Sequence, residues 1–135
     1  MALIDWSSNY SVNVKTMDDQ HRKLVNIINE LNESMKAGRS KEVMERVLKG
    51  LVDYTVTHFS AEESLLKNNG YPGYANQKNQ HEALIKKVSD FQSKYHSGQI
   101  VMGVEIMSFL KDWLLNHISG SDKKYGAFLN EKGIS

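Results

Sequence analysis

Four stretches of the chain space their apolar residues by alternating steps of three and four, which places them on one face of a helix. With a single proline, Pro72, in 135 residues, little interrupts those stretches. A chain of many short strands would need more turn residues than this proline and 9 glycines. The first stripe runs through Met17, His21, Leu24, Ile28, Leu31 and Met35 and stops at Ala37-Gly38. The second follows Ser40, a candidate N-cap, through Val43, Val47, Leu51, Tyr54, His58, Glu62 and Leu65 to Asn68-Asn69-Gly70. Gly70-Tyr71-Pro72-Gly73 breaks the pattern, and Tyr74, Gln77, His81, Leu84, Val88, Phe91 and Tyr95 form the third stripe, closing at Ser97-Gly98. Ile106, Phe109, Trp113 and His117 make the fourth, with Gly120 marking where the helix ends or loosens. The expected fold is all-α, an up-down-up-down four-helix bundle forming a single domain over 1–135. Its parts are an N-terminal arm over about 1–16, helices over about 17–37, 41–68, 72–96 and 103–120, and a short helical tail over 121–135.

Charge narrows the function classes. Seventeen Lys and Arg against 16 Asp and Glu, a net charge of +1, leave no electrostatic footprint for nucleic acid or an anionic membrane. No stretch approaches the roughly 18 apolar residues of a membrane helix, and the opening MALIDWSSNY has no basic-then-apolar leader pattern. A cytoplasmic protein without an obligate protein partner is expected. The absence of cysteine excludes disulfides, thiolate metal sites and a thiol nucleophile, so any metal must be held by histidine and carboxylate.

His21, His58, Glu62, Gln77, His81 and His117 lie on the expected inward stripes, where burying a polar group without partners costs several kcal/mol. All four helices contribute. One such histidine alone reads as a core residue bonded to a carbonyl. Four imidazoles and a carboxylate converging in one small core need a common partner, and a metal centre supplies it. His96, the fifth histidine, sits at a helix end and is expected in solvent. His58 and Glu62 are four apart, as are Gln77 and His81, so each pair projects from one face. His117 and Asp122 are five apart, about 140° out of register on an ideal helix. Asp122 can therefore join only if the turn near Gly120 is loosened or the helix ends there. Imidazole and carboxylate without thiolate suit iron, manganese or zinc.

The words Asp5-Trp6, Asp18-Asp19-Gln20-His21 with Leu24, His58-Phe59-Ser60-Ala61-Glu62-Glu63, Tyr71-Pro72-Gly73-Tyr74, His81, and Trp113-Leu114-Leu115-Asn116-His117-Ile118 with Asp122 and Tyr125 resemble the hemerythrins, in particular the single-domain bacterial ones. The resemblance spans nearly the whole chain. It implies a four-helix bundle holding a non-haem diiron centre, two irons bridged by oxo or hydroxo, that binds dioxygen reversibly. By the same resemblance His21 and His58 hold the iron open to dioxygen, Glu62 and Asp122 bridge, and His81 and His117 hold the other iron. Leu24, Phe59, Trp113, Leu114 and Ile118 match the family's oxygen-pocket positions, and Tyr125 stands where it can support Asp122 from outside the ligand set.

One departure stands out. The family's third helix carries His-x-x-x-His, and this chain reads Gln77-Lys78-Asn79-Gln80-His81. An amide oxygen is a weaker ligand than imidazole for a first-row divalent metal. Gln77 ligates weakly through its oxygen, hydrogen-bonds a water that takes the place, or leaves the second iron poorly bound. The primary function implied is oxygen carriage, storage or sensing, without catalysis. The alternative is a diiron redox enzyme acting on peroxide or nitric oxide, or a rapidly autoxidising variant.

Overall fold

The computed structural model describes residues 2–135. Four long helices carry the architecture: α1 (Lys15–Lys36), α2 (Lys41–Asn68), α3 (Tyr74–His96) and α4 (Val104–His117). A π-helical turn, Ile118–Asp122, continues α4 into α5 (Lys123–Glu131), and a 3-10 turn, Ser8–Tyr10, lies in the arm. Helix α2 packs between α1 and α3, and α4 packs on α1. Among the described residues no helix is long and apolar enough to cross a membrane.

Local chemistry sets the boundaries. Ser40 Oγ accepts from the Val43 amide and caps α2, as its position predicts. Gly38, Gly70 and Gly98 take positive φ where α1, α2 and α3 end, the conformation that lets the chain reverse without a Cβ clash.

The stripes fall close to expectation, with a correction of one residue at several places. On α4 the buried face is Met107, Leu110, Leu114 and His117, whereas Ile106, Phe109 and Trp113 are only half-buried. On α2, Met44, Leu48 and Leu66 are buried instead of Val43, Val47 and Leu65. Both helices carry adjacent apolar pairs, so the apolar stripe is wider than the core contact, and periodicity alone does not choose which edge turns inward.

The arm is tied down by side chains that imitate backbone pairing. Asn29 accepts from the Ile4 amide and donates to the Ile4 carbonyl, both at 2.9 Å. Asp18 accepts from Ser11 Oγ at 2.6 Å and from the Val12 amide at 2.8 Å. Ile4, Val12 and Val14 are thereby held in the core. The Val12 carbonyl lies over Gly126 of α5, where an added Cβ would stand 2.2 Å from it. The C-terminal tail is thus a packed helix whose Tyr125 and Leu129 are fully buried.

The π turn answers the register question raised by His117 and Asp122. A π turn is one residue wider than an α turn, so groups five apart come onto one face. His117 Nε2 stands 3.1 Å from Asp122 Oδ1.

Candidate metal centre

Each helix delivers its polar residues to one place. His21 from α1, His58 and Glu62 from α2, Gln77 and His81 from α3, His117 from α4 and Asp122 from the π turn are all buried together, while His96 is exposed and pairs with Glu45. Two groups of ligand-type atoms form, Glu62 with His81, His117 and Asp122, and Glu62 with His21 and His58.

The two carboxylates divide their oxygens between these groups. Glu62 Oε2 lies 3.0 Å from His21 Nε2 and 3.3 Å from His58 Nε2, and its Oε1 lies 3.3 Å from His81 Nε2. Asp122 Oδ2 lies 3.1 Å from His21 Nε2, and its Oδ1 3.1 Å from His117 Nε2. A carboxylate with one oxygen on each side is the arrangement that spans two cations.

Three imidazoles are oriented by acceptors on their outer nitrogens. His58 Nδ1 donates to Gln20 Oε1 at 2.6 Å, His81 Nδ1 to Glu63 Oε2 at 2.9 Å, and His117 Nδ1 to Gln80 Oε1 at 2.8 Å. Amide and carboxylate oxygens only accept, so each neutral ring turns its Nε2 lone pair inward. The supports follow the bundle in order: α1 holds the ring on α2, α2 the ring on α3, and α3 the ring on α4. Each support sits next in sequence to a polar core residue of its own helix, about 100° around the axis, and so faces the neighbouring helix. Gln20, Glu63 and Gln80 are the functional residues that stripe counting misses; their adjacency to a core ligand candidate is the available signal. His21 lacks such support, its Nδ1 being buried with no partner.

Without a cation the inward lone pairs oppose one another. His81 Nε2 and His117 Nε2 are 3.2 Å apart, and Glu62 Oε1 is buried without a hydrogen bond. Burial opposes charge on His21, but hydrogen bonds to Asp122 and Glu62 outweigh it and push the pKa up to about 10. His81 is raised in the same sense, burial again being outweighed by Glu62 and Glu63. Burial would raise Glu62, yet the His58, His21 and His81 rings hold it well below its ordinary value. Burial and Glu62 both push Asp122 up, and His117 and His21 overcome them to hold it below its ordinary value. A buried set of two carboxylates and converging nitrogens, with Glu62 Oε1 left unpartnered among them, fits divalent metal binding.

Gln77 lies inside this set. Its Nε2 donates to Asp122 Oδ1 at 2.5 Å and stands 3.3 Å from His117 Nε2. The amide thus presents N–H where a third imidazole would present a lone pair. Tyr125 corrects a sequence expectation, since its hydroxyl donates to Glu62 Oε2 and not to Asp122. Burial and the nearby carboxylates raise that phenol well above its ordinary pKa, so it remains a donor.

An apolar cavity of about 20 Å³ adjoins the cluster. Leu24, Phe59, Trp113 and Leu114 are among its lining residues, whereas Ile118 is buried but does not line it. Phe59 and Trp113 connect the two regions: Phe59 stacks on His81 with centroids 3.7 Å apart, and Trp113 on His117 at 4.5 Å.

Comparison with known proteins agrees with this fold. The family model for the hemerythrin HHE cation binding domain matches residues 12–129. The chain is 35% identical over 131 residues to bacteriohemerythrin of Methylococcus capsulatus, covering 96% of this chain and 99% of that one. It is 32% identical to a hemerythrin-like protein of Naegleria gruberi, covering 93% of this chain and 92% of the other. A crystal structure of wild-type hemerythrin superposes with a TM-score of 0.89 at 34% identity, over 93% of this chain and 97% of that one. The chain belongs to the hemerythrin family.

Proposed function

We propose that this chain binds dioxygen reversibly at a two-iron centre in the bundle core. The observation that carries the reading is the division of Glu62 and Asp122, each with one oxygen toward His21 and the other toward the His81 and His117 side. In this reading His21 and His58 would hold one iron, His81 and His117 the other, and Glu62 and Asp122 would contribute to both. Two ferrous irons would supply the electron pair that dioxygen takes up and returns. The protein's own residues do the rest. Gln20, Glu63 and Gln80 fix the tautomer of three rings, and Tyr125 holds Glu62 in place through its hydroxyl. Leu24, Phe59, Trp113 and Leu114 give the gas an apolar approach that resists water, and exclusion of water protects a reversible electron exchange from acid.

A second reading, oxidation chemistry toward peroxide or nitric oxide, is favoured by one observation. Gln77 turns an N–H toward Asp122, so an iron held by His81 and His117 would have an amide in place of a third imidazole beside it. Anaerobic loading with ferrous iron, followed by admission and then removal of dioxygen, separates the two. A visible charge-transfer band that appears and then disappears supports carriage. A band that decays without returning to the ferrous state supports oxidation.

A further inference from the structure

The three supports of the inward rings differ in strength. Gln20 and Gln80 offer neutral amide oxygens, and Gln80 Oε1 is shared, because Ser121 Oγ also donates to it at 2.9 Å. Glu63 offers a carboxylate oxygen 2.9 Å from His81 Nδ1. Its side chain is 20% exposed and has no Lys or Arg within ion-pair distance among the described residues, so His81 is its one charged-type partner. Charge-assisted acceptance from an imidazole N–H is roughly twice as strong as acceptance by an amide. It also shifts electron density to the opposite ring nitrogen and makes that nitrogen a better metal donor. Phe59 fixes the same ring from one face, its plane within 4° of His81.

The strong support falls on the side of the site where donor strength is lacking. On that side Gln77 presents an amide in place of an imidazole, and His117 leans on a shared amide oxygen. We propose that Glu63 is a positioning residue that offsets the missing imidazole at position 77, holding His81 as a strengthened ligand so that the second metal is retained. The proposal rests on the two-metal reading above. It makes position 63 and position 77 energetically coupled although Glu63 acts only through His81: the carboxylate at 63 matters most when residue 77 is glutamine.

The test is a metal titration of the whole chain in four forms: wild type, Glu63→Gln, Gln77→His and the double variant. Ferrous iron under anaerobic conditions and cobalt(II), whose visible spectrum reports coordination without redox chemistry, serve as probes. In the wild-type background Glu63→Gln should weaken the second metal by roughly ten- to a hundredfold. In the Gln77→His background the same change should weaken it much less. A structural role would act alike in both backgrounds, so losses equal to within about twofold overturn the proposal. No loss in the wild-type background also overturns it. Moving the carboxylate, as Glu63→Gln with Gln80→Glu, should restore the second metal by strengthening His117, and failure to do so in a chain with wild-type helicity counts against the account. A wild-type chain that binds two metals while Glu63→Gln is silent removes only this proposal. A wild-type chain that never takes a second metal removes the two-metal reading and the proposal with it.

Discussion

His117 and Asp122 face the same point across a widened turn, Nε2 to Oδ1 at 3.1 Å, although five residues separate them. The relationship depends on the π turn, and a turn of this type inside a helix often marks a functional site. Asp122 is 1% exposed and meets His21 through its other oxygen. Asp122→Asn keeps the shape and removes the charge. The expected result is fewer than two irons per chain, measured by metal analysis after anaerobic loading, with helical circular dichroism retained. Retention of two irons would remove Asp122 from the site.

Metal-free stability should depend on pH through His21. Its folded pKa, about 10, lies above the ordinary histidine value of 6.5, so its contribution is complete below about 6.5 and lost as pH rises through 10. Glu62 and Asp122 are held below their ordinary values, so theirs is present above the ordinary carboxylate range and lost in acid. The thermal midpoint of the metal-free chain should fall steadily from pH 6.5 to 10 and should also fall below pH 4. In Asp122→Asn the alkaline decline should be shallower, because burial then opposes His21 protonation with one carboxylate fewer. A flat alkaline limb in the wild type contradicts the protonated His21.

Gln77→His supplies the lone pair that the amide lacks. Second-iron affinity should rise by about tenfold or more, and conversion of the oxygen-exposed protein to the diferric form should slow. Unchanged occupancy and unchanged decay, followed by metal analysis and visible absorption, would show that position 77 has no bearing on the metal.

Tyr125→Phe removes one hydroxyl from a fully buried ring and leaves Glu62 short of a donor. A hydrogen bond to a charged group contributes about 1.5–3 kcal/mol, so denaturant unfolding of the metal-free variant should show a loss of that order. A loss under about 0.5 kcal/mol would mean the bond adds nothing to stability.

Gly126→Ala probes the seat of the arm. The new Cβ would meet the Val12 carbonyl at 2.2 Å, and backbone must move to admit it. Overpacking of this kind costs about 1–3 kcal/mol. Proteolysis near Ser7–Asn13 should accelerate along with the loss of stability, while an unaltered cleavage rate would place the arm's anchor elsewhere.

Much of the site was legible because burial of charge is costly enough to demand a reason. His21, His58, Glu62, Gln77, His81 and His117 announced themselves as polar residues at core spacing, and the structure brings them together. Asp122 was legible only conditionally, since an ideal helix turns it away and the π turn that rescues it has no clear periodic signature. Gln20, Glu63 and Gln80 are marked only by adjacency to a polar core residue, because a residue reaching from one helix to a ring on the next adds nothing to the apolar period of its own helix. The one-residue offset on α4 has a similar origin: Ile106-Met107, Phe109-Leu110 and Trp113-Leu114 are adjacent apolar pairs, and the neighbouring helices decide which member of each is buried.

A two-iron site that takes up and releases dioxygen can be followed by titrating the metal-free chain anaerobically with ferrous iron, then admitting and removing dioxygen while recording visible absorption. Two irons per chain and a charge-transfer band that rises with the gas and vanishes on its removal are expected; saturation at one iron, or no band at two, would rule out reversible binding at a two-iron centre.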